Sequence, residues 1–166
     1  MNKYILSVLV ENHAGVLSKV TGLFSRRGFN INSLAVGVTQ DETVSRITIE
    51  VCGDEAIVEQ ISKQLNKLID VIKIKTLKED EAVKRSLVLV KVKTGAKTRS
   101  DIVQIADIFR ASIVDVAPTT LTAEIIGSDS KINAFLEMLE PYGIEEIART
   151  GMVALERGAN TLKIDK

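Results

Sequence analysis

Apolar residues recur along this chain with two different spacings, and the alternation of these spacings predicts a repeated order of strands and helices. An apolar run over residues 4–10 is typical of a buried strand. Cations followed by a glycine at residues 26–28 predict the end of the next element, a helix. The apolar face of that helix has helical spacing and consists of Val16, Leu17, Val20, Leu23 and Phe24.

The pattern continues over the first half of the chain and then restarts. Strands are predicted over 30–39, 45–51 and 71–77, with a helix that begins near residue 55. In the second half, strands are predicted over 87–92, 113–116, 121–126 and 144–155. Two helices are predicted between them, with apolar faces at Ile102, Ile105, Ala106 and Phe109, and at Ile132, Phe135, Leu136 and Leu139.

Each half therefore has the order β-α-β-β-α-β, and we predict an α+β protein of two tandem ferredoxin-like units. Phe24 matches Phe109, and Asn30-Ile31 matches Asp115-Val116, at a common offset of 85 residues. Gly53 likewise corresponds to Gly127, before the second helix of each unit.

The predicted domains are an effector-binding unit over 1–78, a charged linker over 79–85 and a C-terminal ferredoxin-like regulatory unit over 86–166. Units of this size bury only about 60–65% of their unfolded surface and are marginally stable alone. They are expected to pair, either side by side through edge strands or face to face through sheets. We therefore expect a homodimer or a higher homo-oligomer.

Composition narrows the classes of function. The 22 basic and 22 acidic residues cancel, and aromatics make up only 4% of the chain, so nucleic acid is not an expected partner. The single cysteine fits a reducing compartment, and we expect a cytoplasmic protein. The N-terminal apolar run is too short to span a membrane and lacks a signal-peptide cleavage site.

The most informative stretch is the turn Asn12-His13-Ala14-Gly15, which joins the first strand directly to the first helix. Backbone N–H groups at a helix N-terminus bind small anions without a catalytic side chain. The alternative is an ordinary turn, because Asn and Gly are common wherever a strand leads into a helix. His13 is the only histidine of the chain, and an exposed loop position is its plainer interpretation.

A second polar group lies at the start of the second predicted strand. Asn30 and Asn32 alternate there with Ile31 and Ser33. The second strand is expected to run beside the first, so that an amide from it reaches a ligand at the helix N-terminus. The alternative is that both asparagines are simple turn residues.

No residues of this chain combine into catalytic or metal-binding chemistry. Cys52 has no Cys or His partner at metal-ligand spacing and is expected to be a buried, inert thiol. The acids that follow Gly53 and Gly127 are interpreted as helix caps. The turn over 94–99 fails the spacing of a phosphate loop and is predicted to be a solvated polar turn. We predict a protein that is not an enzyme and binds no metal.

Several stretches together resemble one family closely. They are Asn-x-x-Gly-x-Leu at 12–17, the string Leu-Phe-Ser-Arg-Arg-Gly-Phe-Asn-Ile at 23–31, Ser-Arg-Ile-Thr-Ile at 45–49, Ile-Val-Asp-Val at 113–116 and Ala-Arg-Thr-Gly at 148–151. This combination resembles the small regulatory subunit of acetolactate synthase (acetohydroxyacid synthase), with its ACT domain. The resemblance extends over essentially the whole chain.

The resemblance implies a non-catalytic protein that binds and activates the large catalytic subunit. It also implies feedback inhibition by a branched-chain amino acid, usually valine, bound where ACT domains of two chains meet. Thiamine diphosphate, FAD and Mg²⁺ would belong to the catalytic partner and none to this chain. The residues implied as effector contacts are Asn12, His13, Gly15, Val16 and Leu17, together with Asn30 and Ile31 from the neighbouring chain or strand.

Three other classes of protein can be distinguished from a regulatory subunit of this kind. A free-standing ACT-type amino-acid sensor would act on a different partner and would not copurify with a thiamine-dependent subunit. An RNA-binding domain with the same strand order is disfavoured, because the central strand over 47–51 has no aromatic residue for stacking. A small-molecule enzyme is disfavoured because no nucleophile has a base in a recognisable pattern.

Overall fold

The computed structural model describes residues 2–164, so positions 1, 165 and 166 of the predicted domains lie outside the described residues. The described residues divide into two units, one formed by residues 2–83 with 152–164 and the other by residues 84–151. The elements of the first unit are β1 (Asn2–Glu11), α1 (Val16–Arg27), β2 (Ile31–Val38), β3 (Val44–Gly53), α2 (Glu55–Leu65) and β4 (Val71–Leu77).

The first sheet is antiparallel and has the order β2-β3-β1-β4. The prediction that the second strand runs beside the first was wrong, because β3 lies between them. Both helices pack on one face of this sheet, and Phe24 of α1 is fully buried there together with Leu6 of β1 and Ile49 of β3. Alternation along β1 and β3 sends the intervening residues to the opposite face.

The second unit repeats this architecture. Its sheet has the order β6-β7-β5-β8, and Phe135 of α4 is fully buried against it. Its elements are β5 (Ala82–Lys93), α3 (Arg99–Ile108), β6 (Ser112–Val116), β7 (Thr120–Gly127), α4 (Asp129–Leu139), a short 3₁₀ turn (Glu140–Tyr142) and β8 (Ile144–Arg149). The prediction of an α+β protein with two ferredoxin-like units is confirmed.

The register between the two repeats differs from the prediction. In α1, Phe29 N–H donates to Phe24 O at 3.0 Å, and in α3 the matching bond runs from Ala111 N–H to Ala106 O at 2.8 Å. These bonds place the two first helices 82 residues apart, so the offset of 85 was wrong. It was wrong because Phe24 has an alanine, not Phe109, as its structural counterpart.

Left-handed residues at the helix ends support the same register. Gly28 closes α1 with φ of 70°, and Arg110 adopts φ of 55° at the corresponding end of α3. A non-glycine residue is uncommon in this conformation. The sequence motif that marks the helix end in the first unit is therefore absent from the second, although the backbone turn is the same.

The predicted last strand over 144–155 was wrong as a single element. The structure has β8, then a break at Gly151 with φ of 83°, then β9 (Val153–Glu156), which pairs with β5. The predicted linker and C-terminal unit also need correction. β5 begins at Ala82, inside the predicted linker, and the residues from Met152 onward belong to the first unit.

These last residues cover the face of the first sheet that carries no helix. We call Met152–Ile164 the C-terminal segment. Met152 N–H donates to Ser33 Oγ at 2.9 Å, and Glu156 pairs with Lys75 at 2.7 Å. A small apolar cluster lies between segment and sheet and consists of Ile5, Leu77, Ala82, Met152 and Ala154.

Candidate functional site: the turn into the first helix

The turn from β1 to α1 is held against the β2–β3 hairpin by Asn12. Its backbone N–H donates to Thr43 O at 2.8 Å, and its side-chain Nδ2 donates to Glu42 O at 2.7 Å. No described residue donates a hydrogen bond to Asn12 Oδ1, so this oxygen is available as an acceptor. The asparagine therefore positions the turn and presents one acceptor beside the helix N-terminus.

Gly15 opens α1 in the left-handed conformation, with φ of 89°, and no side chain caps the helix. In the second helix of each unit, by contrast, Asp54 accepts from Ile57 N–H and Ser128 accepts from Lys131 N–H. A Cβ built on Gly15 would meet no atom within 4 Å. The N–H groups of Leu17 and Ser18 in the first turn of α1 have no acceptor among the described residues, and the helix dipole favours an anion there.

The two residues after Gly15 have different roles. Val16 is buried in the first core, and its N–H donates to His13 O at 3.4 Å. Leu17 is 41% exposed and lies on the outer side of the same helical turn. The site thus offers backbone N–H groups with an exposed apolar side chain beside them.

His13 belongs to a charged cluster that sequence reasoning missed. Its Nε2 lies 3.0 Å from Asp70 Oδ1, and Lys19 Nζ donates to Asp70 Oδ2 at 2.6 Å. The Asp70 side chain is only 10% exposed, and its backbone O accepts from Glu11 N–H at 2.9 Å. The hydrogen bond from Lys19 lowers the pKa of the Asp70 carboxyl, outweighing the opposing effect of desolvation.

The cluster connects the turn, α1 and the residue before β4. Asp70 lies 57 positions from His13 and 51 from Lys19, and no local motif marks it. Only the strand order, which puts β4 beside β1, brings it under the turn. The exposed His13 is therefore anchored through a buried carboxylate.

Asn30 and Ile31 lie at the other end of the sheet from the turn. Ile31 pairs with Val51, which pairs with Tyr4 near the start of β1. The turn follows Glu11 at the end of β1, about 23 Å away at 3.3 Å per residue. Within one chain, the structure does not bring Asn30 together with the turn.

The whole chain matches known proteins closely. Residues 6–73 match the family described as AHAS small subunit-like ACT domain, and residues 85–158 match the family described as small subunit of acetolactate synthase. A relative from Mycolicibacterium smegmatis, named acetolactate synthase small subunit, is 53% identical over 93% of this chain and 91% of its own. The chain belongs to the family of acetolactate synthase small subunits.

Another relative and a solved structure support the same family. A probable acetolactate synthase small subunit from Methanothermobacter thermautotrophicus is 51% identical over 96% of this chain and 95% of its own. The solved structure of the Thermotoga maritima acetolactate synthase small subunit has a TM-score of 0.90 and 40% identity, covering 96% of this chain and all of that one. Membership makes this chain a regulatory, ACT-containing subunit with a catalytic large subunit as its partner.

In the second unit of the chain, side chains contact the backbone of the corresponding turn. Thr94 N–H donates to Thr119 O at 2.9 Å, as Asn12 N–H does to Thr43 O. Thr98 Oγ1 then accepts from Gly95 N–H, and Arg99 Nη2 donates to Pro118 O at 2.9 Å. At the offset of 82 residues this arginine corresponds to Leu17, and Thr98 at the N-cap of α3, like Gly15, makes no side-chain cap.

Three further features concern the lone cysteine, metal ligands and membrane spans. Cys52 is half-buried rather than buried as predicted. Over residues 2–164, no group of three or more His, Cys, Asp or Glu residues is placed to hold a metal ion. Within the same range, no helix is long and apolar enough to cross a membrane.

Proposed function

We propose that this chain binds a branched-chain amino acid, usually valine, at the N-terminus of α1 and relays its presence to the acetolactate synthase large subunit. Without effector the chain raises the activity of that subunit, and with effector it confers feedback inhibition. Valine binding would shift the population of regulatory dimers toward an arrangement that restrains the catalytic partner. Thiamine diphosphate, FAD and Mg²⁺ are assigned in this proposal to the large subunit.

The uncapped start of α1 is the observation that carries the proposal. An α-carboxylate fits the open N–H groups beyond Gly15, where no Cβ intrudes. The free Oδ1 of Asn12 supplies an acceptor for the α-ammonium group. The exposed side chain of Leu17 supplies an apolar contact for a branched aliphatic side chain.

A second chain is needed to complete this site with Asn30 and Ile31. These residues lie at the opposite end of their own sheet, so the alternative of a neighbouring strand in the same chain is ruled out. If the two residues contact the ligand, they come from another copy. The question becomes which surface of the first unit pairs.

Edge strand β2 is the surface best suited to pairing. The outer face of the first sheet is occupied by the C-terminal segment, and the other edge, β4, carries Lys73 and Lys75. Charged residues on an edge oppose strand addition. β2 has no charged residue and no proline, and its Val36 and Val38 are exposed.

Antiparallel pairing of β2 with β2 of a second copy brings the two halves of the site together. In such a pair the start of one strand lies beside the end of the other. Val38, at the end of β2, pairs with Ser45, which pairs with Val10 just before the turn. Asn30 of the partner subunit would therefore lie at the end of the sheet that carries the turn.

The effector site is tested by calorimetric titration of the chain with valine and by assays of acetolactate formation with the large subunit. In Gly15→Asp, the added carboxylate repels the ligand's own, so activation is expected to persist while valine inhibition is lost. Gly158→Asp is the matched control, because Gly158 also has positive φ, at 69°, and open space around its Cβ position. Full valine sensitivity in Gly15→Asp would exclude this site.

The shared site is tested by coexpressing two defective chains, Gly15→Asp and Asn30→Ala. Each homodimer lacks one half of both sites, whereas a mixed dimer retains one intact site. With random assortment, valine binding is expected to return to about a quarter of the wild-type number of sites. Absence of any recovery in verified mixed dimers would show that Asn30 does not complete the site across chains.

A further inference from the structure

The outer face of the first sheet contains a cavity of about 560 Å³ near the β2–β3 hairpin. Leu9 of β1 and Arg46 of β3 line it and are direct partners in the sheet, so both point to this face. Val44 lies on the same face two residues earlier in β3. Leu162 and Ile164 of the C-terminal segment also line the cavity, which is thus built within the first unit.

Arg46 is a half-buried cation whose described partners are both neutral. Its Nη1 donates to Ser7 Oγ at 2.7 Å, and its Nη2 lies 3.5 Å from Leu162 O. Burial lowers the pKa of the guanidinium, but arginine remains protonated in proteins. The other N–H groups of this cation have no carboxylate partner within the described residues.

Two acidic side chains on this face are paired with lysines. Glu50, on the same side of β3 as Arg46, forms an ion pair with Lys3 at 2.8 Å. Glu156 of the C-terminal segment forms one with Lys75 at 2.7 Å. Because burying an unpaired charge is unfavourable, this pairing is expected. Arg46 departs from this pattern, and its guanidinium faces a cavity.

We propose that the Arg46 cavity binds a small carboxylate with a short apolar chain. A guanidinium accepts a carboxylate in a two-point geometry, and Leu9 and Val44, each 3% exposed, provide an apolar floor beside it. Asp41, Glu42 and Lys163 also line the cavity, and the two acidic side chains oppose a polyanion such as inorganic phosphate more than a single carboxylate. The carboxylate of Glu42 could receive the ammonium group of an amino acid, so the ligand is a free carboxylic acid or an α-amino acid.

The cavity is separate from the effector site proposed above. Helix α1 packs on the opposite face, against Leu6 and Ile49, whereas Leu9 and Arg46 point away from it. The proposal therefore does not depend on valine binding at Gly15. Failure of one site leaves the other untouched.

A tryptophan reporter makes binding measurable, because the chain contains no tryptophan. In the full-length Ile164→Trp variant, isovalerate is expected to change the fluorescence saturably. Ile108→Trp is the control, since Ile108 is an exposed residue of the second unit, and it should not respond. No saturable change up to about 50 mM isovalerate would overturn the proposal.

Variants of Arg46 test whether its guanidinium binds the carboxylate. Arg46→Gln in the reporter background should raise the half-saturating isovalerate concentration about tenfold or more. Arg46→Lys keeps the charge without the two-point geometry and should raise it about threefold. An unchanged value in either variant contradicts the proposal. If Arg46→Gln does not unfold cooperatively on heating, Arg46→Lys alone decides.

The ligand class is tested with valine and phosphate in the same reporter. If valine binds more tightly than isovalerate, and Glu42→Gln weakens the binding of valine, the ligand is an amino acid. If isovalerate binds more tightly than valine, the ligand is a free carboxylic acid. Inorganic phosphate that binds as tightly as isovalerate would overturn the assignment to an apolar carboxylate. Asn30→Ala and Gly15→Asp should leave all these values unchanged.

Discussion

The turns that enter the first helix of each unit are attached to the sheet in the same way but differ in how the helix begins. Asn12 and Thr94 both donate a backbone N–H to the neighbouring hairpin, at 2.8 and 2.9 Å. After that, the first unit has an uncapped glycine, and the second has Arg99 lying back on the carbonyls of Ala117 and Pro118. Neither helix start is capped by a side chain, so the two starts differ in the left-handed glycine of the first unit and in the arginine of the second, which contacts the neighbouring turn.

The outer faces of the two sheets differ as well. The first is covered by the C-terminal segment, which buries Met152 and Ala154 on it. The second unit, residues 84–151, is one continuous stretch of chain with no such segment of its own. The first unit therefore depends on residues that are distant in sequence, and the second does not.

The largest expected effect tests this dependence. Deletion of residues from Met152 onward uncovers Ile5 and Leu77 and is expected to cost the first unit about 5 kcal/mol or more, enough to unfold it. Hydrogen exchange should show lost protection over residues 2–83 and retained protection over 84–151. A chain ending at Glu156 is the control, because it keeps the apolar cluster. Wild-type protection of β3 in the shorter chain would contradict the dependence.

Truncation of a single side chain in the C-terminal segment should lower the stability of the first unit by less than the deletion does. Met152→Ala removes a buried side chain and should lower the free energy of unfolding of the first unit by about 2–3 kcal/mol. Its neighbour Val153 is 50% exposed, and Val153→Ala should change that free energy by less than about 0.5 kcal/mol. Urea unfolding measures both, and equal effects would show that the segment is not packed as described.

Glycine substitutions compare the two turns. Gly15→Ala forces a Cβ into the left-handed region at φ of 89° and should cost about 1 kcal/mol of stability. Gly95 has no positive φ and open space at its Cβ position, so Gly95→Ala should be neutral or stabilise by about 0.4–1 kcal/mol. Thermal unfolding separates the two cases. Equal losses would mean that the turns are conformationally alike.

The smallest effect is a pH dependence of the first turn. The folded-state pKa of Asp70 lies below its ordinary value of 3.8, so its stabilising effect is fully present above about pH 4. That effect is lost as the pH falls through the lowered pKa. Urea midpoints of wild type and Asp70→Asn should therefore differ at pH 6 and converge in acid.

Glu59→Gln is the control for this titration. Glu59 also has a pKa lowered by a lysine, Lys63, but both side chains are more than 60% exposed. Exposed pairs on a helix contribute little to stability, so its midpoint should stay close to that of wild type at every pH. A shift as large as that of Asp70→Asn would contradict the importance of burial.

Local signals in the sequence predicted most of the fold. The bounds of β4 agree with the structure residue for residue, and the predicted end of α1 agrees because two arginines and Gly28 mark it clearly. The break at Gly151 was missed, since apolar residues continue through Met152 and Val153. The alternation carries no information about which sheet those residues join.

Long-range pairing was the part that local patterns did not predict. The turn at Asn12–Gly15 was recognisable from its spacing, and its role as a ligand site stays a prediction. The position of Asn30 was misjudged because strand order follows from the whole sheet rather than from β2 itself. Asp70 escaped notice for the same reason, as only β4 pairing brings it beneath His13.

The C-terminal segment also sets an order of events during synthesis. The ribosome makes residues 84–151 before residues 152–164, and domains generally fold as they emerge. The first unit therefore cannot acquire its outer cover before the whole of the second unit has been made. Until then no segment is present to bury the face that carries Ile5 and Leu9. Although it is translated first, the first unit is completed by residues synthesised after the second.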